Sequence, residues 1–205
     1  MADFFLAIPA LNAALSTGLP SLCENIFEDP LPFLVTAIKA QNHILYREAT
    51  ILICALWNVK GKSKNWEEYI GKYYPGVLDR IQGTAQAFID NELYIGALLE
   101  KYMKDEPTLL SICKLARKKT LSQWSKVETR KSPSYYRHVY EGVREITDEE
   151  GWEDKIKHEL KILLKSDLVV DRNRVSGSGA CELLFLSYGI EDWEDNDQPW
   201  HPDYD

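Results

Sequence analysis

Residues 45–57 constrain this chain more than any other stretch. Leu45, Ala49, Leu52, Ile53 and Leu56 recur at helical spacing, and Ile51, Cys54, Ala55 and Trp57 fill the remaining faces. A helix that is apolar nearly all round has no side to show to water, so it must lie at the centre of a core. It is also too short to cross a bilayer, which takes roughly 20 largely apolar residues. The rest of the chain therefore has to supply a covering shell. Only the early residues Tyr46, Arg47 and Glu48 read as a polar end.

That shell reads as further helices. Ala2–Leu6 and Ile8–Thr17 form two pieces, with Pro9 in a first turn where its missing N–H costs nothing and Gly18 as a stop. Pro20–Glu28 is a short helix. After the turn at Asp29-Pro30-Leu31-Pro32, residues Phe33, Leu34, Ala37 and Ile38 mark one face of a helix ending near Asn42. A basic loop, Lys60–Lys64, precedes a short helix with Trp66, Tyr69, Ile70 and Tyr73 on one side. Pro75-Gly76 breaks it. Leu78, Ile81, Ala85 and Phe88 start another helix, continued by Ile95, Leu98, Leu99 and Tyr102, with Asp90-Asn91-Glu92 as either helix interior or turn. Helices follow over Pro107–Trp124, over Ser132–Glu145 and around Trp152, Ile156, Leu160, Leu163 and Leu164.

Past residue 167 the pattern changes. Leu168-Val169-Val170 is short and β-branched, Ser176-Gly177-Ser178-Gly179 is a link, and Leu183–Ile190 reads as a second short strand. The expected fold is mostly α: an irregular bundle of about eight or nine helices with a short extended or β element near the C-terminus. The expected organisation is residues 1–28, a helical domain over 29–167, and an extended C-terminal segment over 168–205 ending in an acidic tail.

Charge supports that division. The chain of 205 residues carries 24 Lys and Arg against 32 Asp and Glu, a net charge of −8. Seven of the acids fall in residues 191–205, which hold no Lys or Arg, leaving 25 acids against 24 bases in a nearly neutral body. Total charge therefore gives no reason to expect bulk polyanion binding. With 45% hydrophobic residues the chain can bury a sizeable core.

The chemistry-bearing residues form no recognisable motif. Cys23, Cys54, Cys113 and Cys181 are far apart with no C-x-x-C, and His43, His138, His158 and His201 add no ligand spacing, so neither a metal nor a cofactor is expected. Widely spaced thiols and the lack of an Asn-x-Ser/Thr sequon suit a reduced protein of the cytoplasm or nucleus. The N-terminus is apolar, but Asp3 is acidic, Pro9 interrupts the run and the first base is Lys39, so it reads as a buried helix rather than a signal peptide. Ser178 lacks the G-x-S-x-G context of a nucleophile elbow, and its glycines precede no Gly-Lys-Ser/Thr. His138 and Glu141, three apart, read as a polar pair on a helix. No catalytic residues are expected and no enzyme activity is read from the chain.

One segment is strongly basic. Lys114, Arg117, Lys118, Lys119, Lys126, Arg130 and Lys131 stand against the single acid Glu128. It is read first as a solvated helix face, second as a nucleic-acid contact, since clustered cations release phosphate counterions, and third as a contact for the acidic tail. Trp193 and Trp200 would anchor that tail on the body.

Short motifs at both ends carry a likeness. Ala2-Asp3-Phe4-Phe5 followed by Ile8-Pro9-Ala10-Leu11 resembles the penultimate helical hairpin of BTB/POZ domains. Asp29-Pro30, Phe33-Leu34, Ala37 and Leu45-Tyr46-Arg47-Glu48-Ala49 are similar to the helical region that follows BTB in many filamentous-fungal proteins. Leu168–Asp171, the Gly177/Gly179 link, Leu184–Ile190 and Asp197-Gln198-Pro199-Trp200 resemble their closing segment. The resemblance implies the last BTB helices, within residues 1–28, plus a helical extension, and a non-catalytic adaptor-like interaction module. Most of a BTB domain, roughly a hundred residues, would then precede Met1. The elements that usually mediate BTB dimerisation and cullin contact are missing, as in a truncated gene model or a free-standing paralogue.

A protein partner or self-association is accordingly expected, through Phe4, Phe5, Leu6, Ile8 and Leu11. Nucleic-acid binding through residues 114–131 is the alternative, and an all-α enzyme without a recognisable motif a further one. No membrane association is expected.

Overall fold

The computed structural model describes residues 26, 28–57, 63–123, 133–146, 151–168, 176 and 199–200. The chain is mostly α. Seven helices lie among the described residues: α1 Leu31–Ala40, α2 His43–Leu56, α3 Ser63–Tyr73, α4 Pro75–Tyr102, α5 Pro107–Gln123, α6 Pro133–Arg144 and α7 Trp152–Leu163. No strand occurs among those residues. The expected helices before residue 26 and the expected strands beyond Leu168 lie outside them.

The described residues fall into two compact units. The first holds those up to Ala85 with Asp167, Leu168, Pro199 and Trp200; the second holds Gln86–Ser166 and Ser176.

In the first unit, α1 ends through its backbone. Gln41 adopts a left-handed conformation (φ 51°), its N–H donates to the Ile38 carbonyl at 3.2 Å, and the Asn42 N–H donates to the Ala37 carbonyl at 2.9 Å. This pair of bonds satisfies carbonyls that the last turn would leave unpaired. Asn42 then caps α2, its side-chain oxygen accepting from the Leu45 N–H at 2.9 Å. One dipeptide thus closes α1 and opens α2, and the two helices pack against each other.

As its pattern demands, α2 is central. Leu45, Ala49, Ile51, Leu52, Ile53 and Cys54 are all buried. Its start is not the polar end expected: Tyr46 and Glu48 are buried as well. The reading from residue type fails there because Tyr46 takes part in an aromatic contact (below). Thr50 is buried too, and its hydroxyl is satisfied by donating to the Tyr46 carbonyl at 2.8 Å.

The α3–α4 corner follows from Pro75, which opens α4 where its lack of an N–H is harmless. The Tyr74 N–H donates to the Ile70 carbonyl and the Leu78 N–H to the Tyr74 carbonyl, carrying the chain through the corner. Trp66 and Ile70 face inward, whereas Tyr69 and Tyr73 are exposed, so the expected four-residue aromatic face is split. A helix face is about 100° wide, and the inward direction here runs through 66 and 70 toward Val77. In the preceding α1, Leu34, Ala37 and Ala40 are buried and Phe33 and Ile38 only partly so.

Asp90, Asn91 and Glu92 are helix interior: α4 runs 28 residues without interruption. In the second unit, α5 packs on α6 and α6 on α7. Ile95, Leu99, Leu109, Tyr136, Val139, Val143, Ile156 and Leu160 form its core. Each such side chain contributes on the order of 1.5–3 kcal/mol by leaving water. Acids Glu153 and Asp154 occupy the first turn of α7, where they complement the helix dipole.

Candidate interaction surface

The second unit carries its most distinctive chemistry on α5. Leu109, Cys113, Ala116 and Thr120 recur at offsets of four, three and four, and all are buried. This stripe turns the opposite side of α5 outward. Lys114, Arg117, Lys118 and Lys119 are all exposed there. Leu115 and Leu121, three residues to either side of Lys118, are 54% and 48% exposed. The hydroxyls of Ser111 and of Thr120 donate to carbonyls four residues back, Pro107 and Ala116.

Single exposed leucines are ordinary on a protein surface. Two of them flanking Lys118 on one helix face give that face both charge and apolar area. Counting bases along the sequence missed these leucines; the wheel that places 109, 113, 116 and 120 inside would have put them outside. Of the basic stretch, Lys126, Arg130 and Lys131 lie outside the described residues. So do Phe4, Phe5, Leu6, Ile8, Leu11 and Trp193.

Beside α5, helix α6 is built from aromatic and polar contacts. Tyr135 and Tyr136 are buried and meet edge-on, with ring centroids 5.3 Å apart. The Tyr136 hydroxyl lies 3.5 Å from the Glu92 carbonyl of α4. Burial first, and the nearby Glu92 carboxylate second, push its phenol well above the ordinary range. Arg137 donates twice, through Nε at 3.0 Å and Nη2 at 2.8 Å, to the carbonyl of Ser176. The Ser176 hydroxyl in turn donates to the Lys165 carbonyl at 3.1 Å. His138 and Glu141 do form a pair, Nδ1 to Oε2 at 3.4 Å, with the carboxylate side largely in water. Among the described residues no group of three or more His, Cys, Asp or Glu is placed to hold a metal ion.

The first unit holds the described part of the tail. Trp200 meets Tyr46 edge-on, with centroids 5.4 Å apart and ring planes at 73°. Trp200 is partly buried and Tyr46 fully so. In the same unit the Cys54 thiol points at the Ile81 carbonyl, 3.9 Å away, and burial pushes it up to about 12. A thiol held protonated in this way is inert, not a nucleophile.

No family model, no curated protein and no solved structure matches this chain. No helix among the described residues is long and apolar enough to cross a membrane.

Proposed function

We propose that this chain is a non-catalytic helical interaction module whose outer α5 face binds an acidic, amphipathic segment of a protein partner. One observation carries the reading: Leu115 and Leu121 stand exposed among Lys114, Arg117 and Lys118. Phosphates of a nucleic acid would satisfy the cations but leave both leucines in water, since a backbone offers no aliphatic surface. A helix carrying Glu and Leu on one face satisfies both, with the leucines as the apolar anchors and the charges setting orientation. The likeness of the chain's ends to the helical extension of fungal BTB proteins points to the same class of role, an adaptor. Buried, widely spaced thiols such as Cys54 and Cys113 suit a reducing compartment, the cytoplasm or nucleus.

Anisotropy titrations with a labelled helical peptide built of Glu and Leu, and with a mixed-sequence DNA duplex, test the proposal. The peptide binds, and Leu115→Ser with Leu121→Ser weakens it about tenfold or more. A duplex that binds more tightly than the peptide, and is indifferent to both leucine substitutions, would make this a polyanion site and sink the reading.

A further inference from the structure

The contact between Tyr46 and Trp200 joins residues 154 positions apart in sequence, and Trp200 belongs to a segment of unusual composition. Residues 191–205 hold seven acids and no Lys or Arg. Such a segment has little cause to collapse onto a core by itself, because charge favours its staying in water. Its indole is nonetheless seated: Trp200 has lost most of its exposure, and its ring makes a T-shaped contact with a fully buried tyrosine. A large apolar ring flanked by Pro199 and by carboxylates is how a linear motif is read, with one aromatic anchor supplying area and the charges remaining at the rim.

We infer that the surface around Tyr46 is a binding site for an acidic, tryptophan-bearing peptide, and that the chain's own Trp200 occupies it in cis. Tethering keeps the local concentration of this ligand high, so a separate peptide of the same chemistry competes poorly against it. The described anchor is the Trp200 indole, and its removal is expected to vacate the site while the helices remain. The inference uses α2 and the tail alone and is independent of the α5 face.

The test uses the full-length chain and a fluorescein-labelled peptide of residues 191–205. The Trp200→Ala chain binds the peptide about tenfold or more tightly than the unaltered chain does, and a peptide carrying Trp200→Ala binds neither. Equal binding to both chains, or none to the Trp200→Ala chain while its helical circular dichroism is intact, would overturn the inference. So would loss of that helical signal, because an exchangeable ligand is not required for folding. A dimer of the unaltered chain that Trp200→Ala abolishes would overturn occupancy in cis and assign the segment to a second copy.

Discussion

Gly142 of α6 and Ile112 of α5 approach so closely that a Cβ on Gly142 would come within 2.6 Å of Ile112 Cγ2. This glycine lets two helices meet at a point where any other residue would hold them apart. Gly142→Ala gains helix propensity, worth about 1 kcal/mol, but must displace Ile112. Over-packing of this kind costs about 1–3 kcal/mol, so a net loss of stability is expected in urea unfolding. Ile112→Ala removes the Cγ2 methyl and the Cγ1 methylene, at 2.6 and 3.3 Å, and leaves only its own Cβ, at 3.5 Å. The double variant therefore loses less than the sum of the two single losses, and strict additivity would refute the contact.

Gln41 holds a left-handed conformation that glycine adopts without steric penalty. Gln41→Gly should raise stability by about 1 kcal/mol, less the entropy that glycine adds to the unfolded chain. Thermal melts of the two proteins would show a higher midpoint for the glycine variant; a lower one would mean that α1 does not end as described.

Arg137 places two donors on one carbonyl, that of Ser176, and a lysine cannot reproduce that fork. Arg137→Lys is expected to cost about 1–2 kcal/mol, since hydrogen bonds from a charged donor exceed the neutral average. Chemical denaturation at neutral pH measures it, and an unchanged midpoint would count against the contact.

Cys54 makes the stability pH-dependent in the alkaline range. Its thiol has an ordinary value of 9.0 and is pushed up to about 12 in the folded chain, first by burial. The folded state therefore resists losing this proton while the unfolded state gives it up. The associated stability is fully present below pH about 9 and is lost as pH rises from there toward about 12. Cys54→Ala should flatten that decline by up to about 1.4 kcal/mol per pH unit. Identical slopes for the two proteins would contradict the burial of the thiol.

Much of the helical framework was readable from spacing. The stripe of 109, 113, 116 and 120, the all-round apolar α2 and the run from Trp152 to Leu164 each declare a helix and its buried side through period alone. Spacing and residue type each misled once. Tyr69 and Tyr73 share helical spacing with Trp66 and Ile70, yet only the latter two are buried, because the inward stripe is narrower than the aromatic one. Tyr46 and Glu48 were set outside for being polar, yet they are inside. Of the candidate surface, the cations were legible and the leucines between them were overlooked.

Local choices lie in the chain itself: that a helix begins at Pro107, that the chain breaks between helices at Pro75, and which stripe of most helices is apolar. These depend on neighbours within four residues, whose hydrogen bonds and side-chain spacing any reading of the chain can follow. Only the tertiary structure decided that Tyr46 receives Trp200, that Arg137 grips Ser176 and that Gly142 admits Ile112. Those pairs lie 30 or more residues apart. Their energies arise from packing and hydrogen bonding between surfaces that exist only once the helices have assembled, and no local pattern along the chain encodes which surfaces will meet.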